Sequence, residues 1–257
     1  MITDYIIIIG DNQNNVKGSN KYRRKFDKYR EIDKRMRQLG RSTAKRMELD
    51  CTHQFTFGMT AASYTNMDGE TVSCATADTQ NLFDSDHTLS DGTGTYANLL
   101  TTAFGRAGLE AAETLFTKFV DDNGNKVVVE PNTIITSDDP TIINSVKEFT
   151  KSTLVPDEAN NAVNVYQGKY THLVLPYLTT DANGAYSSTP KNYWMLAAKG
   201  STDAIMEISE NPSFTAPSGG GNGEDFETDD WKFKSSAAYD LGVLDFKWIC
   251  GSTGATS

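Results

Sequence analysis

The side chains best suited to chemistry are few and scattered. Three histidines, His53, His87 and His172, stand far apart, and none neighbours a serine or cysteine in a nucleophile motif. Cys51, Cys74 and Cys250 show no metal-ligand or redox spacing, which predicts free thiols packed as small apolar groups. Asp84, Asp86, His87 and Asp91 could offer ligands to a metal ion. No second histidine lies within helical or hairpin reach of them, and the EF-hand pattern is missing, so a capped surface turn is expected. In the run Asp121, Asp122, Asn123, Gly124, Asn125 the glycine is misplaced for a calcium loop, and a hairpin turn is expected. HExxH, CxxC and glycine-rich phosphate loops do not occur. The expectation is a protein that is not an enzyme and holds no metal and no cofactor.

Periodic order is concentrated in residues 26–57. Phe26, Tyr29, Ile32, Met36, Leu39, Met47, Cys51 and Phe55 recur at gaps of three and four, with Thr43 keeping the step between Leu39 and Met47. That spacing predicts one helix of about 45 Å without a proline, long enough to be the element onto which others pack. Gly40 is its weak point, costing about 1 kcal/mol relative to alanine, and is expected at a bend or a close crossing.

The same stretch carries the charge. Between Lys17 and Arg46 there are 13 Lys or Arg against three acids, while the whole chain has a net charge of −10. The first 50 residues hold 13 basic and seven acidic residues, leaving 11 and 27 to the remainder. A basic segment on an acidic body suits either a polyanion or the acidic surface of a neighbouring subunit. Lys21, Arg23, Arg24, Lys25 and Lys28 are the candidates for that electrostatic contact.

Around this helix the pattern is mixed. A strand with four isoleucines at 6–9 opens the chain and needs a partner, from this chain or from a neighbour. Residues 61–95 read as short strands and a long loop. Helical periodicity returns over 96–119, with Leu99 and Leu100 at its start and Gly105 as a break. Strands are expected at 126–129, 133–136, 162–166, 170–176 and 193–198, and a helix capped by Asp139 with Pro140 in its first turn. Residues 212–228 read as a low-complexity mobile loop. Alternation of Leu244, Phe246, Trp248 and Cys250 predicts a closing strand, with Phe246 and Trp248 laid on the stripe of Met36, Leu39, Met47 and Phe55.

The fold class read from this order is α+β. With 38% hydrophobic residues and 10% aromatics the chain can bury a sizeable core. No run of eighteen apolar residues occurs, so no membrane partner is expected, and the isoleucine strand lacks the basic flank and length of a signal peptide.

The succession of elements resembles the major capsid proteins of tailed bacteriophages, within the fold named after phage Hong Kong ninety-seven and closest to its Mu-like head-subunit group. The resemblance is carried by the long basic helix, by LFDSDHTL and TYANLL, by PNTIITSDDPTIINSVKEFTKSTLVPDEANNAVNVYQGKYTHLVLPYLT, and by SSAAYDLGVLDFKWICGSTGA. It covers residue 27 to the C-terminus and is most specific in 151–160, in 165–179 and in YDLGVLDFKW. It implies a peripheral domain with a "spine" helix at 26–103, an axial domain at 104–205 and a return to the peripheral domain at 206–257. Residues 1–25 would then be a remnant of the N-terminal arm and extended loop, from a truncated, processed or unusually short chain. It further implies hexamers and pentamers of an icosahedral shell around double-stranded DNA, with scaffold, portal and decoration proteins as partners, built in the host cytoplasm and ending in the virion. An encapsulin-like cellular shell protein and a non-enzymatic acidic binding module remain the alternatives.

Overall fold

The structure is a computed structural model and describes residues 2–9, 31–88, 94–121, 123–156, 162–215 and 231–254. In chain order the elements are β1 (Ile2–Ile9), α1 (Glu31–Phe57), β2 (Ser63–Thr65), β3 (Thr71–Ser73), β4 (His87–Thr88), β5 (Thr95–Tyr96), β6 (Leu99–Leu100), α2 (Arg106–Phe116), β7 (Thr133–Thr136), α3 (Pro140–Lys151), β8 (Thr171–Val174), β9 (Trp194–Ala197), β10 (Ala204–Thr215), β11 (Trp231–Val243) and β12 (Ile249–Ser252). Mixed helix and sheet agree with the α+β expectation. Contacts divide the chain into two units, Met1–Glu48 with Met206–Asp240, and Leu49–Ile205 with Leu241–Ser257.

The first unit contains a three-stranded sheet in the order β1-β11-β10. β1 runs antiparallel to β11, Ile2 opposite Ala238 and Ile9 opposite Trp231, so the isoleucine strand finds its backbone partner within the chain. On β11, Ser235, Ser236, Ala237 and Tyr239 are buried while Lys234 and Asp240 are exposed, so the strand is covered over its middle rather than along one alternating face. Along α1 the buried positions Leu39, Thr43 and Arg46 follow the helical spacing, and the Thr43 and Ser235 hydroxyls lie 2.7 Å apart. Gly40 faces open space where a Cβ would lie and marks no close crossing. β10 is exposed at every residue but Met206. Residues 212–215, expected to begin a mobile loop, lie in this strand; 216–230 are outside the described residues.

The second unit is built on a five-stranded mixed sheet in the order β6-β12-β9-β7-β8. All residues of β7, β9 and β12 are buried, as befits strands covered on both faces. Alternation sends Ile134, Trp194, Leu196 and Cys250 into one core with Leu109, Ala112 and Phe116 of α2 and Ile142, Val146 and Phe149 of α3. Ile135, Met195, Ala197 and Ile249 enter a second core with Met59, Leu82, Phe83, Leu178 and Trp248. α3 starts as its sequence predicts, with the Asp139 carboxylate accepting from the Thr141 N–H at 2.8 Å and Pro140 at its head.

Several expected elements differ. Leu99 and Leu100 form β6, parallel to β12, because a two-leucine step fits strand and helix alike and the sheet edge claims it. Segments 126–129 and 162–166 hold only single bridges, Val120 to Lys126 and Leu154 to Val163. The expected closing strand is a turn at Leu244, Asp245, Phe246, Lys247 and Trp248 followed by β12.

Candidate functional site

The closing turn separates two aromatic residues that sequence alternation would have placed on one face. Trp248 is buried in the second core, its ring edge-on to Phe55 with centroids 6.3 Å apart. Phe246 enters the other core, stacks on His87 at 3.8 Å and meets the Phe119 ring edge-on at 5.8 Å, so it does not lie on the helical stripe. The turn is held by Asp245, which accepts from the Lys247 N–H at 3.2 Å and from its ammonium at 3.0 Å, and by the Ile249 N–H donating to the Phe246 carbonyl. Leu39 is buried and Met47 half-buried, both in the first unit. The side chain of Met36, and Lys21, Arg23, Arg24, Lys25 and Lys28, lie outside the described residues.

His87 is not on a surface turn: it is 0% exposed. Its Nδ1 lies 2.8 Å from Asp78 Oδ2 and its Nε2 3.1 Å from Asn98 Oδ1. Burial alone would raise the Asp78 pKa, but hydrogen bonds from Thr76 and His87, the charge of His87 and the Gln80 N–H hold it below the ordinary 3.8. Asp84 and Asp86 form the turn before β4, the Asp84 carboxylate accepting from the Asp86 N–H at 3.1 Å. Asp91 lies outside the described residues. The Asp121 carboxylate accepts from the backbone of Asn123 and Asn125, closing a hairpin turn with Gly124 at φ 78°.

The remaining reactive groups are tied into packing. Burial pushes the Cys74 and Cys250 thiols up to about 12, which leaves them poor nucleophiles. His53 Nε2 lies 2.9 Å from the Thr180 hydroxyl, and His172 Nε2 2.8 Å from that of Thr136. Among the described residues no three His, Cys, Asp or Glu side chains gather as a metal ion would require.

Surface features are more distinctive. Glu113 of α2 accepts from the Lys169 ammonium at 2.6 Å and from the Tyr170 hydroxyl, and the ammonium also lies 5.2 Å from the Tyr170 ring centroid. This cluster flanks an open cleft of about 740 Å³ whose other wall includes Lys126, Val128 and Glu130. Val128, Val163 and Val165 are 78%, 76% and 71% exposed. On β10, Ile208 and Phe214 are exposed as well. Sequence reasoning missed Asp78, Asn98 and Glu113, whose contacts, with His87 for the first two and with Tyr170 for the third, span 9, 11 and 57 residues and leave no local pattern.

A family model described as phage capsid protein matches residues 23–251. Among solved structures, the mature capsid of bacteriophage PhiM1 is 12% identical, covering 98% of this chain and 70% of that one with a TM-score of 0.50. A crystal structure described as a prophage capsid protein from E. coli CFT073 is 11% identical over 99% and 77% of the two chains, also with a TM-score of 0.50. The holo-SrpI encapsulin complex from Synechococcus elongatus PCC 7942 aligns over 98% and 73%, at 10% identity and a TM-score of 0.43. A search of curated proteins gave no match. At such identities the structural likeness speaks for the fold alone; the family match spans most of the sequence, and by it the chain belongs to the phage capsid protein family.

Proposed function

We propose that the chain is the head subunit from which hexamers and pentamers assemble into an icosahedral shell around double-stranded DNA, without catalytic turnover. The observation that carries this reading is the family match along residues 23–251. Supporting it are the β-branched side chains left exposed at Val128, Val163 and Val165, which contact between copies would cover. In this reading residues 26–103 and 206–257 build the peripheral domain and 104–205 the axial domain around each capsomer axis. Scaffold, portal and decoration proteins are further partners, with assembly in the host cytoplasm. Sedimentation of the purified chain tests the proposal: particles far larger than the 28.2 kDa subunit are expected, and a monomer stable at high concentration would count against it.

Lys21, Arg23, Arg24, Lys25 and Lys28 contact a neighbouring subunit's acidic surface in this proposal, rather than packaged DNA. Contact between subunits matters for assembly without a genome, whereas contact with DNA matters after packaging. Replacing the five with glutamate is expected to prevent empty shells from forming. Normal empty shells with poor genome retention would assign the cluster to DNA.

A further inference from the structure

A strand edge is left open ahead of β7. The hairpin that turns at Asp121 returns as Lys126, Val127, Val128, Val129 and Glu130, a run of valines between a lysine and a glutamate. Val120 and Lys126 face each other in a single bridge, flanked by the Val127 N–H donating to the Phe119 carbonyl at 2.9 Å and the Asp121 N–H donating to the Asn125 carbonyl at 2.8 Å. Along a strand, the two backbone groups of one residue point to one edge and those of the next residue to the other. Since Val127 bonds toward the hairpin, the N–H and carbonyl groups of Lys126, Val128 and Glu130 point to the opposite edge. Among the described residues none of these groups is hydrogen-bonded.

The side chains alternate in the same register. Val127 and Val129 are half-buried, Val129 against the first core, while Lys126, Val128 and Glu130 are exposed. Lys126 and Glu130 make no ion pair among the described residues. The open cleft beside α2 runs along the segment from Lys126 to Asn132, so it is not covered by any described element of this chain. Pro131 ends the run, and the N–H it lacks belongs to the edge facing the hairpin, so the open edge loses no donor.

We propose that this edge is a contact between two copies of the chain, residues 126–130 of one pairing antiparallel with residues 126–130 of the other about a two-fold axis at Val128. A second copy is the occupant because the segment is complementary to itself. With Val128 opposite Val128 of the partner subunit, Lys126 falls opposite Glu130 of the partner subunit, and Glu130 opposite the partner subunit's Lys126. Opposite charges then flank a central valine pair on one face, and each facing pair exchanges both of its open backbone bonds. A parallel copy in the same register would set lysine against lysine and glutamate against glutamate. The inference rests on the assembly reading in taking a second copy as the occupant, and names one contact within it. Such a pair closes on itself and leaves the contacts that build rings to other surfaces.

The test uses the full chain with cysteine placed at single exposed positions and oxidised glutathione as the thiol oxidant. Directly opposite residues in this ladder have Cα atoms about 5.5 Å apart, within disulfide reach, whereas the Lys126 positions of the two copies would lie about 13 Å apart. Val128→Cys is expected to give a linked dimer on non-reducing electrophoresis. Lys126→Cys or Glu130→Cys alone should give no more than the unsubstituted chain, and an equal mixture of the two should link. In sedimentation equilibrium, Lys126→Glu is expected to weaken self-association about tenfold, and Lys126→Glu/Glu130→Lys to restore it. Equal linkage at Val128→Cys and Lys126→Cys would mean that another segment covers the edge and would overturn the inference. Unchanged association in Lys126→Glu, or no recovery in the double variant, would overturn it as well. Shells in electron micrographs of an unlinked Val128→Cys would strike this contact and leave the assembly reading standing, whereas monomers throughout would strike both.

Discussion

Trp248 and Phe246 sit two residues apart, yet their rings enter different cores of the second unit. Each fills its own space, so neither can take over for the other when one is cut back. Trp248→Ala is expected to cost about 3–5 kcal/mol through lost burial and the cavity left beside Phe55, a large share of a domain's ~5–15 kcal/mol. Urea unfolding checks this, and a loss below ~1 kcal/mol would mean the site collapses around the gap. Sequence reasoning found these two aromatics and Phe55 but could not separate their surroundings. Alternation reports only that two residues are apolar and spaced by two, which a strand and a turn between two cores satisfy equally. His87 was harder still. Among Asp84, Asp86 and Asp91 it looked like a surface residue, and its burial depends on Asn98, Phe246 and Asp78, brought together by the fold.

The elements whose pattern is self-contained were the legible ones. α1, β7 and α3 carry their own signals: a long stripe at helical spacing, a β-branched run, and Asp139 with Pro140. β6 and β12 do not, because each is defined by pairing with a distant segment. Gly251 of β12 illustrates what such pairing demands. A Cβ there would stand 2.5 Å from the Met59 Cε and 2.6 Å from the Phe83 ring, so Gly251→Ala is expected to destabilise by about 1–3 kcal/mol through overpacking. Calorimetry of the variant would reveal it, and an unchanged midpoint would show that Met59 and Phe83 yield freely. Segment 162–166 shows the converse. Its β-branched composition predicted a strand, but its described pairing is the single bridge from Leu154 to Val163, and Val163 and Val165 stay exposed. The double variant Val163→Asp/Val165→Asp is expected to keep the unfolding free energy within ~0.5 kcal/mol while reducing assembly in light scattering. Undiminished assembly would remove these residues from the contact between copies.

For the whole molecule, a structural capsid protein follows from the family match, and the structural likeness agrees at the level of fold. In the proposed assembly, the basic excess of the first 50 residues and the acidic excess of the remainder would favour contacts between copies. In the proposed shell, contact between copies would cover Val128, Val163 and Val165, so a lone subunit is expected to be the less stable form. Electron microscopy of the purified full chain, with no other phage protein present, tests this most directly. The account predicts capsomers or closed shells of repeated 28.2 kDa subunits, and a uniform field of monomers at high concentration would contradict it.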